Sequence, residues 1–303
     1  MDFNDTPEEA AFRAEVRHWL AANAQAYAKP WAKDVSVDEF IARARDWQRR
    51  KAEAGYAAIS WPRELGGLNG TPMQEVIYAE EEKHYYAPVG PFVHIGSALV
   101  VPTIRTHGTP EQIEQYTRPT LFGEYLWCQL FSEPVAGSDL AALRTKAVRE
   151  GDEWVINGQK VWTSWAHKAD YGILIARTDF DAPKHKGLTF FIVDMKTPGV
   201  EVRPIRQISG GSEFNEVFLT DVRIPDVNRL GPVGAGWKVT MTTLMNERVN
   251  VGGESSELPD VTDVLRVLQR KVGSGDPRLQ LYAPRLAQLY AQEQGLRYFR
   301  FRI

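Results

Sequence analysis

The spacing of apolar residues changes twice along this chain of 303 residues, and these changes divide it into three regions. In the first region, four capping-box signatures predict helix starts, because each places a Ser or Thr three residues before a Glu or Gln. The predicted starts are at Thr6, Ser36, Thr71 and Thr109. Apolar residues follow them at helical spacing, with no clear strand pattern between them. We therefore predict an all-α domain over residues 1–124.

The second region consists of short runs rich in β-branched and aromatic residues, separated by glycine and proline. Seven runs predict strands: Ala147–Val148, Glu153–Ile156, Gln159–Trp162, Tyr171–Ala176, Leu188–Val193, Val200–Pro204 and Glu216–Leu219. Between the second and the third of these runs, Asn157-Gly158 is the strongest hairpin signal in the chain. Short strands at this close spacing are typical of an antiparallel barrel or sandwich, which we place over residues 125–232.

Helical spacing returns at Gly236 and again at Leu279, and Pro284 predicts a kink in the later helix. One face of the earlier helix carries four residues: Thr240, Leu244, Glu247 and Val251. Two helical segments cannot bury both of their apolar faces alone, and most helix stability comes from such burial. We therefore expect residues 233–303 to form an incomplete C-terminal helical domain, or one that borrows helices from a partner.

Composition argues against several classes of protein and site. The 36 basic residues against 39 acidic residues give a net charge of −3, which does not suit nucleic-acid binding. A single cysteine, Cys128, permits no internal disulfide and indicates a reducing compartment, so we expect a cytoplasmic protein. We see no signal peptide at the N-terminus and no apolar stretch long enough for a membrane span. The six histidines lack metal-ligand spacing, so no metal site is expected.

The first candidate site is the segment Ser132–Asp139, where the helical pattern gives way to strands. Its glycine and small residues let backbone amides approach a ligand closely. The hydroxyls of Ser132 and Ser138 can donate to carbonyl or phosphate oxygens. A polar turn between two domains would have a similar composition, and the residues alone leave both interpretations open.

The second candidate site is Trp162-Thr163-Ser164-Trp165, at the end of a predicted strand. Two indole rings and two hydroxyls could flank a planar heteroaromatic ligand, stacking on it and donating to it at once. The alternative is an ordinary half-buried strand.

The third candidate is Glu247, with Arg248 beside it. Glu247 shares a helix face with Leu244 and Val251, and an ionised acid on an apolar stripe is costly. A carboxylate held in such a place could remove a proton from carbon. The alternative is a structural ion pair within the helix or between domains.

The segment Glu124–Leu140 resembles the signature of the flavin-dependent acyl-CoA dehydrogenases. Four further segments resemble the same family in the same order: Trp61–Gly67, Asn157–Ser164, Phe214–Pro225 and Glu247-Arg248. The resemblance spans nearly the whole chain. It implies an α+β multidomain fold with an N-terminal all-α domain, a middle antiparallel β-barrel and a C-terminal helical bundle, which is incomplete here.

The resemblance also implies roles for individual residues. Six match positions that bind the ring system of FAD: Gln129, Phe131, Ser132, Trp162, Thr163 and Ser164. Three match the substrate-binding region: Gly137, Ser138 and Leu244. Glu247 matches the position of the catalytic base in two branches of the family, and Arg248 matches a neighbour that shapes the active site.

The implied reaction is the α,β-dehydrogenation of an acyl-CoA to the trans-2-enoyl-CoA, with electrons passed to an electron-transfer flavoprotein. Two residues depart from the family pattern. Val135 stands where the family usually has Gly, which bears on the position of the loop. Met245 stands where several members have an Asp that contacts CoA, which bears on recognition of CoA.

The segment Asp276-Pro277-Arg278 and the helix after it resemble a bacterial subgroup of this family. Some of its members act on CoA thioesters of bulky substrates such as steroid side chains, and several are heteromers. The resemblance therefore implies a homo- or heterotetramer. Two alternatives stay open, namely an acyl-CoA oxidase and a subunit that completes the site of a partner.

Overall fold

The computed structural model describes residues 4–27, 35–85, 87–251, 261–272 and 277–299. The chain divides into two compact units, Met1–Asn250 and Val251–Ile303. The first unit holds a layer of helices and a sheet, and the described residues of the second, 261–272 and 277–299, hold two helices.

The first unit begins with helices: α1 (Pro7–Asn23), α2 (Val37–Glu53), α3 (Pro72–Lys83), α4 (Gly90–Phe92), α5 (Val101–His107) and α6 (Pro110–Leu121), with a π-helical segment, Val93–Val100, between α4 and α5. Of these, α1, α2, α3 and α6 start where the capping signatures predict. α1, α3 and α6 each have both bonds of the capping box. At α2, the Ser36 hydroxyl accepts from the Glu39 amide, while the Glu39 carboxylate binds Arg43. The predicted N-terminal helical domain is confirmed.

The middle of the chain forms one sheet. Its strands are β1 (Trp127–Leu130), β2 (Lys146–Glu150), β3 (Glu153–Ser164), β4 (Tyr171–Arg177), β5 (Leu188–Asp194), β6 (Val200–Pro204), β7 (Phe214–Pro225) and β8 (Arg229–Leu230). Their order is β6-β7-β3-β2-β4-β5-β8, and β1 pairs with β4. β1 and β2 run parallel to β4, whereas the other pairs are antiparallel.

The expectation of an antiparallel β-barrel is therefore corrected to an open, mixed sheet. Within residues 87–251, the edge strands β6 and β8 each pair with one neighbour only. β6 is largely exposed and β8 has only two residues, so neither edge offers the long ladder that closure of a barrel requires.

Both faces of the sheet are buried, because successive residues of its central strands enter different clusters. Phe190 packs with Tyr116 and other residues of the helical layer. The next residue, Phe191, packs edge-on against Trp154 of β3, with ring centroids 5.4 Å apart. The sheet therefore folds back over its own second face without closing.

The predicted hairpin at Asn157-Gly158 is wrong, because β3 runs straight through this dipeptide. Asn157 lies opposite Lys146 of β2, and the other edge of β3 pairs with β7. Strand partners on both sides hold the chain extended where the local sequence favours a turn. Two of the predicted strands are thus a single strand.

The ladder between β3 and β7 contains two β-bulges, each with one extra residue in one strand. In the Asp221 bulge, Thr220 and Asp221 of β7 face a single residue of β3. In the Trp162 bulge, Val161 and Trp162 of β3 face a single residue of β7. Asp221 and Trp162 both have positive φ, at 50° and 60°.

α7 (Gly236–Val251) packs against both the sheet and the helical layer. A Cβ on Gly236 would lie 2.7 Å from the backbone of Leu188, so glycine permits this close start against β5. Further along α7, the buried hydroxyl of Thr243 is hydrogen-bonded to that of Thr103 in α5 at 3.0 Å. These contacts fix the position of α7 relative to the sheet.

The second unit contains α8 (Val261–Val272) and α9 (Arg278–Phe299). α9 continues through Pro284. The amide of Val261 donates to the carboxylate of Glu293 at 3.4 Å. Among the residues described, no helix combines the length and the apolar character that a membrane span requires.

Candidate functional site

The structure brings the first two candidate segments together. The amide of Val161 donates to the carbonyl of Ser132 at 2.9 Å, so the end of β3 lies against the chain that leaves β1. Phe131 is buried in the core shared with the helical layer. Gln129 is half-buried on β1, opposite Ile173 of β4. Residues separated by about thirty positions in sequence therefore meet at one end of the sheet.

Beside this contact lies a buried ion pair that was not predicted from the sequence. Lys160 is fully buried, and its Nζ donates to Glu133 Oε1 at 2.9 Å. It also donates to the carbonyls of Phe131 and Ile175 at 3.0 Å each. Glu133 accepts two further bonds from backbone amides of the chain that enters β2. The pair therefore fastens β3, β4 and the turn after β1 to one another.

Burial dominates the electrostatics of this pair. It lowers the pKa of Lys160 from 10.5 to about 8, although the nearby Glu133 charge favours the ammonium. Burial alone would raise the pKa of Glu133, but the Lys160 charge and the amide donors hold it below its ordinary value. The one available signal was a lysine at an inward position of an alternating strand, which is unusual without a partner.

Apart from the buried Ala136, the first candidate segment is exposed from Pro134 onward. Glu133 and Ala136 exchange backbone hydrogen bonds at 2.9 and 3.0 Å, which closes a tight turn and leaves Val135 65% exposed. Gly137 and Ser138 are exposed too, and a Cβ on Gly137 would meet no atom within 4 Å. The segment is thus a turn whose outer side leaves room for a ligand.

The end of β3 presents three residues with different environments. Trp162 is 60% exposed and contacts Phe214 edge-on, with ring centroids 6.2 Å apart. Thr163 is buried, and its Oγ1 has no hydrogen-bond partner among the residues described. Ser164 is half-buried. An ordinary half-buried strand accounts for the burial of Thr163 but leaves the exposed indole of Trp162 unexplained.

Trp165 does not share the exposed position of Trp162. Its ring stacks on Phe40, close to the start of α2, with centroids 5.8 Å apart and planes 21° from parallel. Trp165 therefore contacts the helical layer, and the idea that two indoles flank one ligand is corrected to a single exposed indole.

The third candidate lies on α7, just beyond a contact with the same core. Leu244 packs against the cluster that contains Phe131 and Ala136. Glu247 follows three residues later and is half-buried, and Arg248 is exposed. Neither side chain forms an ion pair or hydrogen bond within the part of the chain that the structure describes.

The groups available at these three segments are hydroxyls, backbone amides, an indole and a carboxylate. Across the described ranges, no three His, Cys, Asp or Glu side chains are grouped so that they could hold a metal ion. Cys128 is fully buried, and burial raises the pKa of its thiol, so it is a small core residue and not a nucleophile.

Two family models match most of the first unit. Residues 6–124 match the N-terminal domain of acyl-CoA dehydrogenases, and residues 128–222 match the middle domain of acyl-CoA dehydrogenases. The first match covers the helical layer and the second covers β1 to β6 and most of β7.

Individual relatives agree with the family models. The chain is 51% identical over 217 residues to the acyl-CoA dehydrogenase FadE34 of Mycobacterium tuberculosis, and the aligned region covers 72% of this chain and 30% of FadE34. It is 38% identical over 305 residues to the acyl-CoA dehydrogenase IpdE1 of Mycolicibacterium smegmatis, covering 96% of this chain and 77% of IpdE1. The solved structure of the Tcur3481-Tcur3483 steroid ACAD matches with a TM-score of 0.81 at 31% identity, covering 100% of this chain and 77% of that one. The chain thus spans under a third of FadE34.

Proposed function

Because this chain belongs to the acyl-CoA dehydrogenase family, whose members are FAD-dependent oxidoreductases, we propose that it oxidises an acyl-CoA to the trans-2-enoyl-CoA. The observation that carries the proposal is the proximity of the three candidate segments. The bond between Val161 and Ser132 joins the turn after β1 to the end of β3. The helix that bears Glu247 packs through Leu244 on the core cluster that contains Phe131 and Ala136 of that turn.

The residues at the end of β3 fit the ring system of a flavin. That ring has a flat π face and an edge of carbonyl and N–H groups, which suit an exposed indole and nearby hydroxyls. Trp162 offers the indole, and the buried Thr163 Oγ1 lacks a partner among the residues described. We assign six residues to FAD binding: Gln129, Phe131, Ser132, Trp162, Thr163 and Ser164. FAD, when bound, supplies the acceptor for the hydride from the substrate.

The acyl-CoA is assigned to the turn after β1 and to α7. Gly137 and Ser138 offer exposed amides and a hydroxyl to the thioester arm, and Leu244 borders the acyl group. Glu247 acts as the general base that takes the α-proton. Arg248 shapes the site beside it.

The substrate class, electron acceptor and assembly extend this proposal. A bulky acyl group, such as a steroid side chain, is supported by the similarity to the Tcur3481-Tcur3483 steroid ACAD. Electrons pass to an electron-transfer flavoprotein, and the chain acts in the cytoplasm as part of a homo- or heterotetramer.

The substitution Glu247→Gln tests the proposed base. Glutamine keeps the size of the side chain but cannot accept the proton, so FAD binding should persist while substrate-dependent bleaching slows by about 10²-fold or more. The measurement is the anaerobic loss of visible flavin absorbance after acyl-CoAs of different width are added. Glu201→Gln on the edge strand β6 is the matched control and should bleach at the unchanged rate.

Three other outcomes have distinct meanings. An unchanged bleaching rate in Glu247→Gln would remove Glu247 from the role of base. A chain that binds no FAD, alone or co-expressed with a related subunit, would contradict the proposed function. Hydrogen peroxide formed in step with turnover would identify an acyl-CoA oxidase instead.

A further inference from the structure

Trp162 has a backbone conformation that its side chain disfavours. Its φ of 60° lies in the left-handed region, which bulky L-residues rarely occupy. Such a conformation persists only where surrounding bonds hold it. The same stretch contains a second case, since φ of Trp165 is also 60°.

The side chain of Asn215 supplies bonds at this place. Asn215 is fully buried on β7, directly opposite Thr163. Its Nδ2 donates to the carbonyl of Thr163 at 2.8 Å and to the carbonyl of Glu213 at 3.0 Å. The Glu213 carbonyl also accepts from the amide of Trp165 at 2.8 Å. One amide group therefore ties the end of β3, just after the bulge, to the start of β7.

His167 fixes the orientation of that amide. Its Nδ1 lies 2.9 Å from Asn215 Oδ1. Because the Asn215 oxygen can only accept, the bond requires the proton on Nδ1. With the oxygen engaged by His167, the Nδ2 donors of Asn215 point to the two carbonyls.

The bulge decides which face of the sheet Trp162 occupies. Lys160 is buried, so strict alternation along β3 would turn Trp162 inward and Thr163 outward. The extra residue reverses this phase, because Thr163 is buried and Trp162 is exposed. Without the bulge, the indole would not be available to a ligand.

We propose that Asn215, oriented by His167, is the positioning residue that holds the Trp162 bulge and so presents Trp162 at the flavin-binding end of β3. The part of this inference that concerns flavin rests on the proposed function. The part that concerns the backbone does not, and the two parts are tested separately.

The backbone part is tested by comparing glycine with alanine at position 162. Glycine adopts positive φ without penalty, so Trp162→Gly should have an unfolding equilibrium constant about five- to thirtyfold lower than Trp162→Ala. In the Asn215→Ala background, residue 162 should relax to extended backbone. The stability advantage of glycine over alanine at position 162 should then vanish or reverse. Urea unfolding of the full chain, with and without added FAD, measures all four variants. An unchanged glycine preference in the Asn215→Ala background would overturn the proposal.

Asn157→Ala is the matched control, because Asn157 supports the other bulge of the same ladder. Asn157 Nδ2 donates to Asp221 Oδ1 at 3.0 Å, and the backbone amide of Asp221 donates to Asn157 Oδ1 at 3.0 Å. Its removal should leave the glycine preference at position 162 intact. If Asn215→Ala fails to fold, Asn215→Ser, whose hydroxyl keeps one donor, replaces it as the background for the glycine comparison.

The flavin part is tested by the affinity for FAD, measured by equilibrium titration of flavin fluorescence. Asn215→Ala should weaken FAD binding by tenfold or more, and Asn157→Ala should change it by less than twofold. If the unsubstituted chain binds no FAD, the proposed function fails while the glycine comparison still decides the role of Asn215. If FAD affinity is the same with and without the Asn215 side chain, Asn215 does not position Trp162 for flavin.

Discussion

The two bulges of the β3–β7 ladder solve the same problem in different ways. Each inverts the in–out phase of one strand, so that buried residues on both sides of it stay in the core. In the Asp221 bulge the positive φ falls on Asp, a residue that tolerates it, and the supporting bonds are exposed. In the Trp162 bulge it falls on Trp, and the supporting amide of Asn215 is fully buried. The more costly backbone conformation therefore occurs at Trp162, whose side chain is exposed.

Two ion pairs around the turn after β1 differ in burial in a similar way. Lys160 lies two residues before Trp162 and is paired with Glu133 in the core. An ion pair on the far side of the same turn, Lys184 with Asp139, is 2.5 Å long but exposed. A buried charge that loses its partner is much more costly than an exposed one, so the two pairs should respond differently to substitution.

The largest expected effect follows from Lys160→Met. The substitution leaves the Glu133 carboxylate and the carbonyls of Phe131 and Ile175 buried without their shared donor, and we expect a loss of about 3–5 kcal/mol in the free energy of unfolding. Lys184→Met, which breaks the exposed pair, should cost less than about 1 kcal/mol. Urea unfolding followed by tryptophan fluorescence measures both.

Adding Glu133→Gln to Lys160→Met should recover part of the lost stability, because no uncompensated charge is then buried. Equal costs for Lys160→Met and Lys184→Met would show that burial does not separate the two pairs.

A pH effect of about 3 kcal/mol should accompany this pair. The pKa of Lys160 is about 8 in the folded chain against 10.5 when it is free, so between these pH values only the unfolded chain keeps the proton. Because the unfolded state then binds more protons, this group makes stability rise with pH across that window, by up to about 1.4 kcal/mol per pH unit.

The measurement is the difference in unfolding free energy between the unsubstituted chain and Lys160→Met, taken from pH 7 to 10.5. Tyrosines with raised pKa values contribute to the pH dependence of stability in both proteins. Their contribution cancels in the difference, which therefore reports the ionisation of Lys160. A difference that stays constant over this range would contradict the lowered pKa.

The smallest expected effect is at the other bulge. Asp221→Gly should change the free energy of unfolding by less than about 0.5 kcal/mol. Glycine adopts the positive φ more readily, and this gain offsets the loss of the exposed hydrogen bond from Asn157 Nδ2 to Asp221 Oδ1. Asp221→Val, which cannot easily adopt φ of 50°, should cost about 1–2 kcal/mol. Thermal unfolding of the two variants checks this pair. A costly Asp221→Gly would mean that the exposed bonds matter more than the backbone conformation.

Helix starts could be predicted from the sequence because their cause is local. A Thr or Ser and the residue three positions later satisfy each other's backbone groups without help from the rest of the chain, as at Thr6, Thr71 and Thr109. The helical run over residues 90–107 carries no such signature and was not predicted. The candidate residues of the site were found from the composition of short segments, and the family resemblance gave them roles.

The failed hairpin at Asn157-Gly158 shows the limit of local signals. The dipeptide favours a turn, yet its bonds with β2 on one side and with Asp221 on the other keep it within a strand. The Lys160–Glu133 pair was missed for a related reason, since its two members are brought together only by the pairing of distant segments.

Local sequence thus predicted where four of the N-terminal helices begin, where most of the strands lie and which residues could carry chemistry, because capping, alternation and composition act over a few neighbouring residues. Tertiary structure decided that the sheet stays open, that Asn157-Gly158 does not turn and that Trp162 points outward. The direction of a side chain on a strand depends on the register of its partner strand. At Trp162, that register is set by bonds from β7 that no stretch of β3 contains.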